Sequence, residues 1–274
     1  MMLQLAEGSI EANGLTVHYY RAGTPDGAPL LLLHGISDNG ACWPLVARDL
    51  AGQYDVIMPD ARGHGRTAGP VAGFGVPLLA ADAAALIRAL QLRPLLVWGH
   101  SMGAITAAAL AASEPGLVRT VVLEDPPLVG DPPHDDPDDG AWRDQMVMFL
   151  AQVAVVPQAE RTAWAAARNP GADPAEIAAW IDSKLEFNQQ VLDQPGAALR
   201  RYPWRGVLAQ IQCPALLITG DPTAGAIVTP ATAAEAAGLM RLGEVANISR
   251  AGHSIHREHY AETLPAVRAF LHRH

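Results

Sequence analysis

Short apolar runs alternate with amphipathic stretches through the first half of the chain. Residues 30–33, 55–60 and 95–98 are largely apolar, which is typical of strands covered on both faces of a sheet. Residues 15–20 form another predicted strand, before a turn rich in glycine and proline. Residues 76–90 carry apolar side chains at three- and four-residue spacing, which predicts a helix. This alternation predicts a mostly parallel sheet with right-handed crossovers and functional groups at the carboxyl ends of its strands.

The pattern changes after residue 127 and resumes with a predicted strand at residues 213–221. No buried strand is predicted in between, where three stretches have helical composition: residues 142–153, 160–168 and 174–192. The sequence therefore predicts an α/β core made of residues 1–127 and 209–274. Residues 128–208 are predicted to form a helical cap, or lid, inserted after the sixth strand.

Large apolar side chains are frequent in the predicted cap, although aromatic residues make up only 5% of the chain. We expect some of them to line an apolar substrate pocket and most to pack the cap onto the core. These residues are Trp142, Met146, Met148, Phe149, Trp164, Trp180, Phe187 and Trp204. The acidic, proline-broken stretch at residues 131–139 is expected to be solvated surface rather than a metal site.

Composition narrows the class of protein. The 274 residues suit one large α/β domain with an insertion, and the formal net charge of −9 argues against a nucleic-acid partner. No secretory signal and no apolar run of the ~20 residues needed to span a bilayer are present, which favours a soluble, cytoplasmic protein without a membrane partner. Cys42 and Cys213 are too few for a disulfide framework and lack the spacing of metal ligands. The expected partner is a small-molecule substrate, and a homo-oligomer remains open.

The most informative motif is a serine between two glycines. Residues 95–103 read LLVWGHSMG and lead into an alanine-rich run, which predicts a strand, a sharp turn and a helix. Ser101 would stand at the tip of this turn, a nucleophile elbow, and Gly99 and Gly103 would allow the close approach of its flanks. The start of the following helix would direct its amides towards an oxyanion at the serine. The alternative is an ordinary capping serine at a helix start.

A second glycine-containing loop follows the predicted strand at residues 30–33. Such a loop supplies the other amide of an oxyanion hole in enzymes with a serine turn. We therefore expect the Ile36 and Met102 N–H groups to form the oxyanion hole. The alternative is a plain turn.

Serine is a weak nucleophile at neutral pH and needs a base together with an acid that orients it. His253 follows a glycine in a loop after the last predicted strand, and we assign it as the base. His64 lies between two glycines and is expected to be a loop residue, whereas His256 and His259 are expected to begin the final helix.

Together these motifs resemble the α/β-hydrolase superfamily, in its lidded, esterase- or lactonase-like branch. The resemblance extends over almost the whole chain and is weakest in the predicted cap. The segments that carry it are His34-Gly35, Asp60-x-Arg62-Gly63-His64-Gly65, Gly99-His100-Ser101-Met102-Gly103 and Gly252-His253. The resemblance implies a catalytic triad in the chain order serine, acid, histidine.

The acid departs from the usual family pattern. The family commonly places it three residues after the glycine that ends the seventh strand, and Thr223 occupies that position here. Some members, such as haloalkane dehalogenases and zearalenone lactonases, carry the acid after the sixth strand instead. Their position corresponds to Asp125, which we favour over Asp221 and over Glu124.

The resemblance also implies the chemistry. Relatives that hydrolyse haloalkanes or epoxides use an aspartate nucleophile, so Ser101 favours acyl transfer. We expect hydrolysis of a carboxylic ester or lactone of a fairly apolar substrate through an acyl-enzyme, with no cofactor and no metal. The alternatives are hydrolysis of a carbon–carbon bond in a diketone-like substrate, and a ligand-binding receptor that turns over slowly.

Overall fold

A computed structural model of the chain describes residues 5–129, 138–195, 199 and 202–274. Its eight strands form one sheet in the order β1-β2-β4-β3-β5-β6-β7-β8. The strands are β1 Ala6–Ala12, β2 Leu15–Gly23, β3 Ala28–Leu33, β4 Tyr54–Pro59, β5 Leu95–His100, β6 Val118–Glu124, β7 Ala215–Thr219 and β8 Gly243–Asn247. Strand β2 pairs antiparallel with β1 and β4, and every other pairing is parallel. The predicted mostly parallel sheet is therefore confirmed.

Helices cover both faces of this sheet. They are α1 Pro44–Leu50, α2 Val76–Ala89, α3 Met102–Ser113, α4 Asp138–Val155, α5 Arg161–Ala166, α6 Pro174–Leu185, α7 Trp204–Leu208, α8 Pro230–Leu239, α9 Ile255–Glu258 and α10 Tyr260–Arg273. Because side chains alternate along a strand, Leu31 and Leu33 join the cluster under α2 and α3, while Leu30 and Leu32 join the cluster under α1 and α10. Both faces of β3 are thus buried, as its continuous apolar run predicts.

The edge strand β1 was not predicted. Its sequence, AEGSIEA, mixes polar and small residues, and most of the strand is exposed or half-buried. It forms a hairpin with β2, paired from Ala6↔Arg21 to Ala12↔Leu15. A strand that buries so little surface lacks the apolar run by which the central strands are recognised.

The segment between β6 and β7 contains helices α4 to α7 and, among its described residues, no strand. Part of it has a small core of its own, made of Val153, Ala165, Ile177 and Ile181. Residues 130–137, which hold most of the stretch predicted to be solvated acidic surface, lie outside the described residues. The proposed boundaries of the cap, residues 128 and 208, remain a prediction.

No helix within the described ranges is long and apolar enough to cross a bilayer.

The turn between β5 and α3 depends on two glycines that leave no room for a side chain. A Cβ atom on Gly103 would lie 1.9 Å from the carbonyl oxygen of Leu33, at the end of β3. A Cβ atom on Gly99 would lie 2.2 Å from the carbonyl oxygen of Gly103. Since both obstacles are backbone atoms, neither can move aside as a flexible side chain could. The glycines therefore set how closely α3 approaches β3.

We predict that Gly103→Ala destabilises the protein by more than about 2 kcal/mol, because its Cβ would force α3 away from β3. Helix propensity alone predicts the opposite, since alanine is favoured over glycine inside a helix by about 1 kcal/mol. Thermal unfolding of this variant and of Gly116→Ala would decide, because a Cβ on Gly116 meets nothing within 4 Å. Equal stability of both variants with the wild type would contradict the steric argument.

Candidate active site

Ser101 stands at the tip of the turn between β5 and α3, in a conformation that non-glycine residues rarely adopt. Its φ is 53° and its ψ is −114°. Such strain persists only where the surroundings enforce it, and here the Ser101 N–H donates to the carbonyl of Glu124 at 2.9 Å. The side chain makes no hydrogen bond to the helix that it precedes, unlike an ordinary capping serine. It is free to face a partner outside the helix.

That partner is His253. Its Nε2 lies 2.9 Å from Ser101 Oγ, and its Nδ1 lies 2.6 Å from Asp125 Oδ2. Asp125 is completely buried and also accepts hydrogen bonds from the Ile227 N–H at 2.8 Å and the Val228 N–H at 2.9 Å. This buried carboxylate accepts all three hydrogen bonds, including the one from His253. The proton on His253 then resides on Nδ1, which leaves Nε2 to accept the proton of the serine.

The two other carboxylates considered as the acid have different partners. Asp221 accepts from the N–H and the hydroxyl of Thr223, at 2.8 and 2.7 Å, and caps the short 3₁₀ turn Pro222–Ala224. Glu124 is buried and accepts from the Nε1–H of Trp98 at 3.0 Å and the Nδ1–H of His256 at 2.8 Å. The structure therefore brings Asp125, and neither alternative, into contact with His253.

Three other histidines, His64, His100 and His256, are buried and have partners of their own. His100 Nε2 donates to the carbonyl of His253 at 3.0 Å and so restrains the loop that carries it. His256 lies in α9 and stacks on Trp43, with ring centroids 4.3 Å apart. His64 is buried, its Nδ1 lies 2.8 Å from the carbonyl of Arg62, and burial lowers its pKa to about 3. As predicted from its flanking glycines, His64 is a loop residue that makes no contact with the serine.

The loop after β3 passes directly beside Ser101. A Cβ atom on Gly35 would lie 3.4 Å from Cβ of Ser101 and 2.9 Å from Nδ1 of His100, so glycine permits this approach. Ile36 borders the same cavity as Ser101, and Met102 is the first residue of α3. Within the described part of the chain, neither amide donates to a backbone or side-chain acceptor. Both N–H groups are thus available near the serine, as an oxyanion hole requires.

A cavity of about 370 Å³ opens above Ser101 and His253. Its apolar wall comes mainly from the segment between β6 and β7 and consists of Trp142, Met146, Phe149, Trp180 and Leu199, together with Ile36, Pro127 and Ile227. Its polar wall contains Asp38, Lys184 and Arg257. The sequence analysis did not identify these three residues.

Of the eight large apolar residues singled out in the predicted cap, four line the cavity and three pack, although most were expected to pack. Trp142, Met146, Phe149 and Trp180 line the cavity. Trp164 packs against Phe149, with ring centroids 6.1 Å apart. Phe187 and Trp204 are buried in the main core, and Met148 is 64% exposed.

Comparison with known proteins agrees with this architecture. The family described as the Alpha/beta hydrolase family matches residues 30–266 of the chain. The chain belongs to the α/β-hydrolase family. The eight-stranded, mostly parallel sheet of this α/β hydrolase and its order of strands and helices agree with that assignment.

Several relatives of this α/β hydrolase are known. N-formylmaleamate deformylase of Pseudomonas putida is 32% identical over 266 residues, which cover 92% of this chain and 91% of the relative. The crystal structure of an N-formylmaleamic acid deformylase from Pseudomonas putida S16 superposes with a TM-score of 0.80 at 22% identity, over 96% of this chain and all of that one. An enol-lactonase from Burkholderia xenovorans gives a TM-score of 0.78 at 24% identity, over 97% of this chain and all of that one. At these identities the two structures show the shared fold.

We predict that Asp125→Asn lowers kcat by about 10³- to 10⁴-fold, because the amide no longer fixes the His253 tautomer. Asp221→Asn should stay within about twofold of the wild type, since asparagine also caps a turn well. The measurement is the steady-state kcat of both folded variants for a substrate that the wild type hydrolyses. The reverse order of activities would transfer the role of acid to Asp221.

The buried pair of Glu124 and His256 predicts how stability depends on pH. Burial alone would raise the pKa of Glu124, but His256 outweighs it and lowers this pKa from 4.5 to about 2. Burial alone would lower the pKa of His256, but Glu124 outweighs it and raises this pKa above 6.5. The carboxylate therefore contributes stability above about pH 4.5, which is lost as the pH falls towards 2. The imidazolium contributes stability below pH 6.5, which is lost as the pH rises through its raised pKa.

We predict that the Tm difference between wild type and Glu124→Gln is largest between about pH 5 and 6.5 and shrinks below pH 4.5. Thermal unfolding across this range is the measurement. Glu114→Gln serves as the control, because it removes only an exposed ion pair with Arg88. A difference that stays constant down to pH 3 would contradict the proposed pairing.

Proposed function

We propose that this α/β hydrolase is a serine hydrolase that cleaves a carboxylic ester or lactone through an acyl-enzyme on Ser101. The observation that carries the proposal is the continuous hydrogen-bonded chain from Ser101 Oγ through His253 to the buried Asp125, at the floor of a cavity. The proposed nucleophile, base and acid thus each lie within hydrogen-bonding distance of the next. The substrate is a small molecule, and the mechanism needs no cofactor.

The first half of the reaction would run as follows. His253 Nε2 takes the hydroxyl proton as Ser101 Oγ attacks the carbonyl carbon, and Asp125 stabilises the imidazolium that forms. The N–H groups of Ile36 and Met102 hold the oxyanion, a contribution of about 3 kcal/mol per donor in enzymes of this kind. Collapse of the tetrahedral intermediate expels the alcohol, which receives its proton from His253.

Water completes the cycle by the same route. His253, again neutral, removes a proton from water as the oxygen attacks the acyl carbon. The second tetrahedral intermediate then releases the acid and returns the proton to Ser101. Substrates with an apolar body are favoured by the aromatic wall, which includes Trp142, Phe149 and Trp180.

A second candidate is hydrolysis of an N-acyl amide, in particular removal of an N-formyl group from a carboxylate-bearing substrate. The relative that matches 92% of the chain is an N-formylmaleamate deformylase, and the mechanism above applies equally to an amide carbonyl. The cavity also includes the guanidinium of Arg257 in its polar wall. Only two of its N–H donors make hydrogen bonds to described residues, and these are 3.3 and 3.4 Å long. Its Nε also lies 3.7 Å from a carboxylate oxygen of Glu176, so a substrate carboxylate would bind at the donors that make no hydrogen bond.

We predict that Ser101→Ala and His253→Ala each lower kcat by about 10³-fold or more while the protein stays folded. The measurement is hydrolysis of p-nitrophenyl esters of increasing acyl length, simple lactones and an N-formyl amide with and without a carboxylate. A burst that depends on Ser101 would establish the acyl-enzyme, and the preferred panel member would separate ester from amide hydrolysis.

Two further results would change the assignment. Near-normal turnover by either folded variant would exclude the triad. Uptake of a fluorophosphonate by Ser101 without turnover of any panel member would favour the alternatives of carbon–carbon hydrolysis or slow ligand binding.

A further inference from the structure

The chain contains a single lysine, Lys184, whereas arginine occupies the other eighteen basic positions. Lysine side chains are normally exposed, but only 6% of Lys184 is accessible. The residue lies in α6, in the segment between β6 and β7, and borders the cavity above Ser101. A lone lysine buried beside the site calls for a specific partner.

The ammonium group uses all three of its donors within the protein. Nζ donates to the carbonyl oxygen of Ser37 at 3.1 Å, to Oγ of Ser183 at 3.3 Å and to the carboxylate of Asp38. Two of these acceptors belong to the loop that supplies the Ile36 amide. Because no donor remains, Lys184 is not placed to bind the substrate itself.

That loop is strained where the lysine holds it. Ser37 has a φ of 62°, in the left-handed region that non-glycine residues rarely adopt. Strain of this kind costs about 1–3 kcal/mol and persists only where neighbouring groups enforce it. The bond from Lys184 to the Ser37 carbonyl fixes the peptide that follows Ser37. It thereby restrains Ile36, one residue earlier.

Asp38 extends the connection to the loop of the base. Its other carboxylate oxygen lies 3.4 Å from Nη2 of Arg257, which is four residues after His253 and also contacts Oγ of Ser254. Burial would raise the pKa of Asp38, but Lys184 and Arg257 hold it well below its usual range. The carboxylate is therefore charged at any working pH, and both cations stay attached to it.

We propose that Lys184 is a positioning residue that clamps α6 to the loop after β3 and so holds the Ile36 N–H in place for the oxyanion. The inference rests on the proposed serine hydrolase function and adds a residue outside the triad to it. A tetrahedral ammonium suits three acceptors arranged around one point. The planar, longer guanidinium of arginine directs its donors differently, so arginine cannot replace lysine here.

Kinetics of Lys184→Met test the clamp. A displaced oxyanion donor weakens binding of the transition state more than that of the substrate. We therefore expect kcat to fall about 10- to 100-fold while KM changes less than about threefold. Fluorophosphonate labelling of Ser101 should slow by a similar factor, since a phosphoryl oxygen occupies the oxyanion position. Lys184→Arg should remain at least about fivefold below wild type in kcat.

Arg168→Met is the matched control, because it also removes one positive charge from the same segment but at an exposed site. It should keep wild-type kinetics. If Lys184→Met raised KM for carboxylate-bearing substrates alone and left kcat intact, the lysine would act by binding substrate, and the clamp would be overturned. Wild-type kcat and labelling in folded Lys184→Met would overturn it as well.

The single lysine also permits a test without substitution. Protein labelled with ¹⁵N only at lysine gives one side-chain ammonium resonance, from Lys184. We expect this resonance to shift when wild type forms the phosphonyl adduct and to stay unchanged when Ser101→Ala is treated with the same probe. Should Lys184→Met fail to fold, an unmoved wild-type resonance would overturn the clamp by itself.

The same experiments distinguish failure of the proposed serine hydrolase function from failure of the Lys184 clamp. If wild type neither hydrolysed the panel nor took up the probe, the serine hydrolase assignment would fall, and the clamp with it. If wild type reacted and the lysine experiments gave the negative results above, only the clamp would fall.

Discussion

Close contact between the start of α3 and the end of β3 is the constraint on which the site depends. The contact exists because Gly103 presents no side chain to the Leu33 carbonyl. With α3 seated this closely, the turn before it carries Ser101 above the sheet in a strained conformation, and the loop after β3 passes beside the serine. The proposed nucleophile and the proposed oxyanion donors are thus brought together by one packing contact.

Adjacent residues at the end of β6 serve two different histidines. Glu124 is the last residue of β6, and Asp125 leaves the strand with a φ of 41°, so the two carboxylates meet different partners. Asp125 meets His253 beside the cavity, and Glu124 meets His256 beneath it. The two buried pairs are adjacent in sequence but have different roles. Asp125 holds the proposed base His253, and Glu124 anchors α9 through His256.

The features that could be predicted from the sequence were those that a short stretch of neighbouring residues specifies. Apolar runs identified β3, β4, β5 and β7, because burial on two faces is a local property of sequence. The serine turn and His253 were found because glycines mark both of them. Asp125 was favoured over Asp221 because the resemblance to family members with the acid after the sixth strand implies it, and the structure places Asp125 against His253. The polar edge strand β1 has no such local mark.

The cluster of Asp38, Lys184 and Arg257 was missed for a physical reason. Lys184 and Arg257 lie 146 and 219 residues after Asp38, and no periodicity in the sequence connects the three. The one signal in the sequence was its composition. Lys184 is the single lysine of the chain, and all eighteen other Lys/Arg positions are arginine. The rarity of lysine would have singled out Lys184, but it would not have identified the residues that contact it.

The small core shared by α4, α5 and α6 bears on the order in which the molecule folds. Four buried side chains, with four half-buried ones packed against them, bury too little apolar surface to offset the conformational entropy of ordering these helices. The helices therefore gain stable structure only by docking onto a sheet that has already formed, at contacts such as that between Lys184 and the loop after β3. Helices α4 to α6, which supply much of the apolar wall of the cavity, should accordingly be the last part of the chain to become ordered. They should also be the first to open in local unfolding.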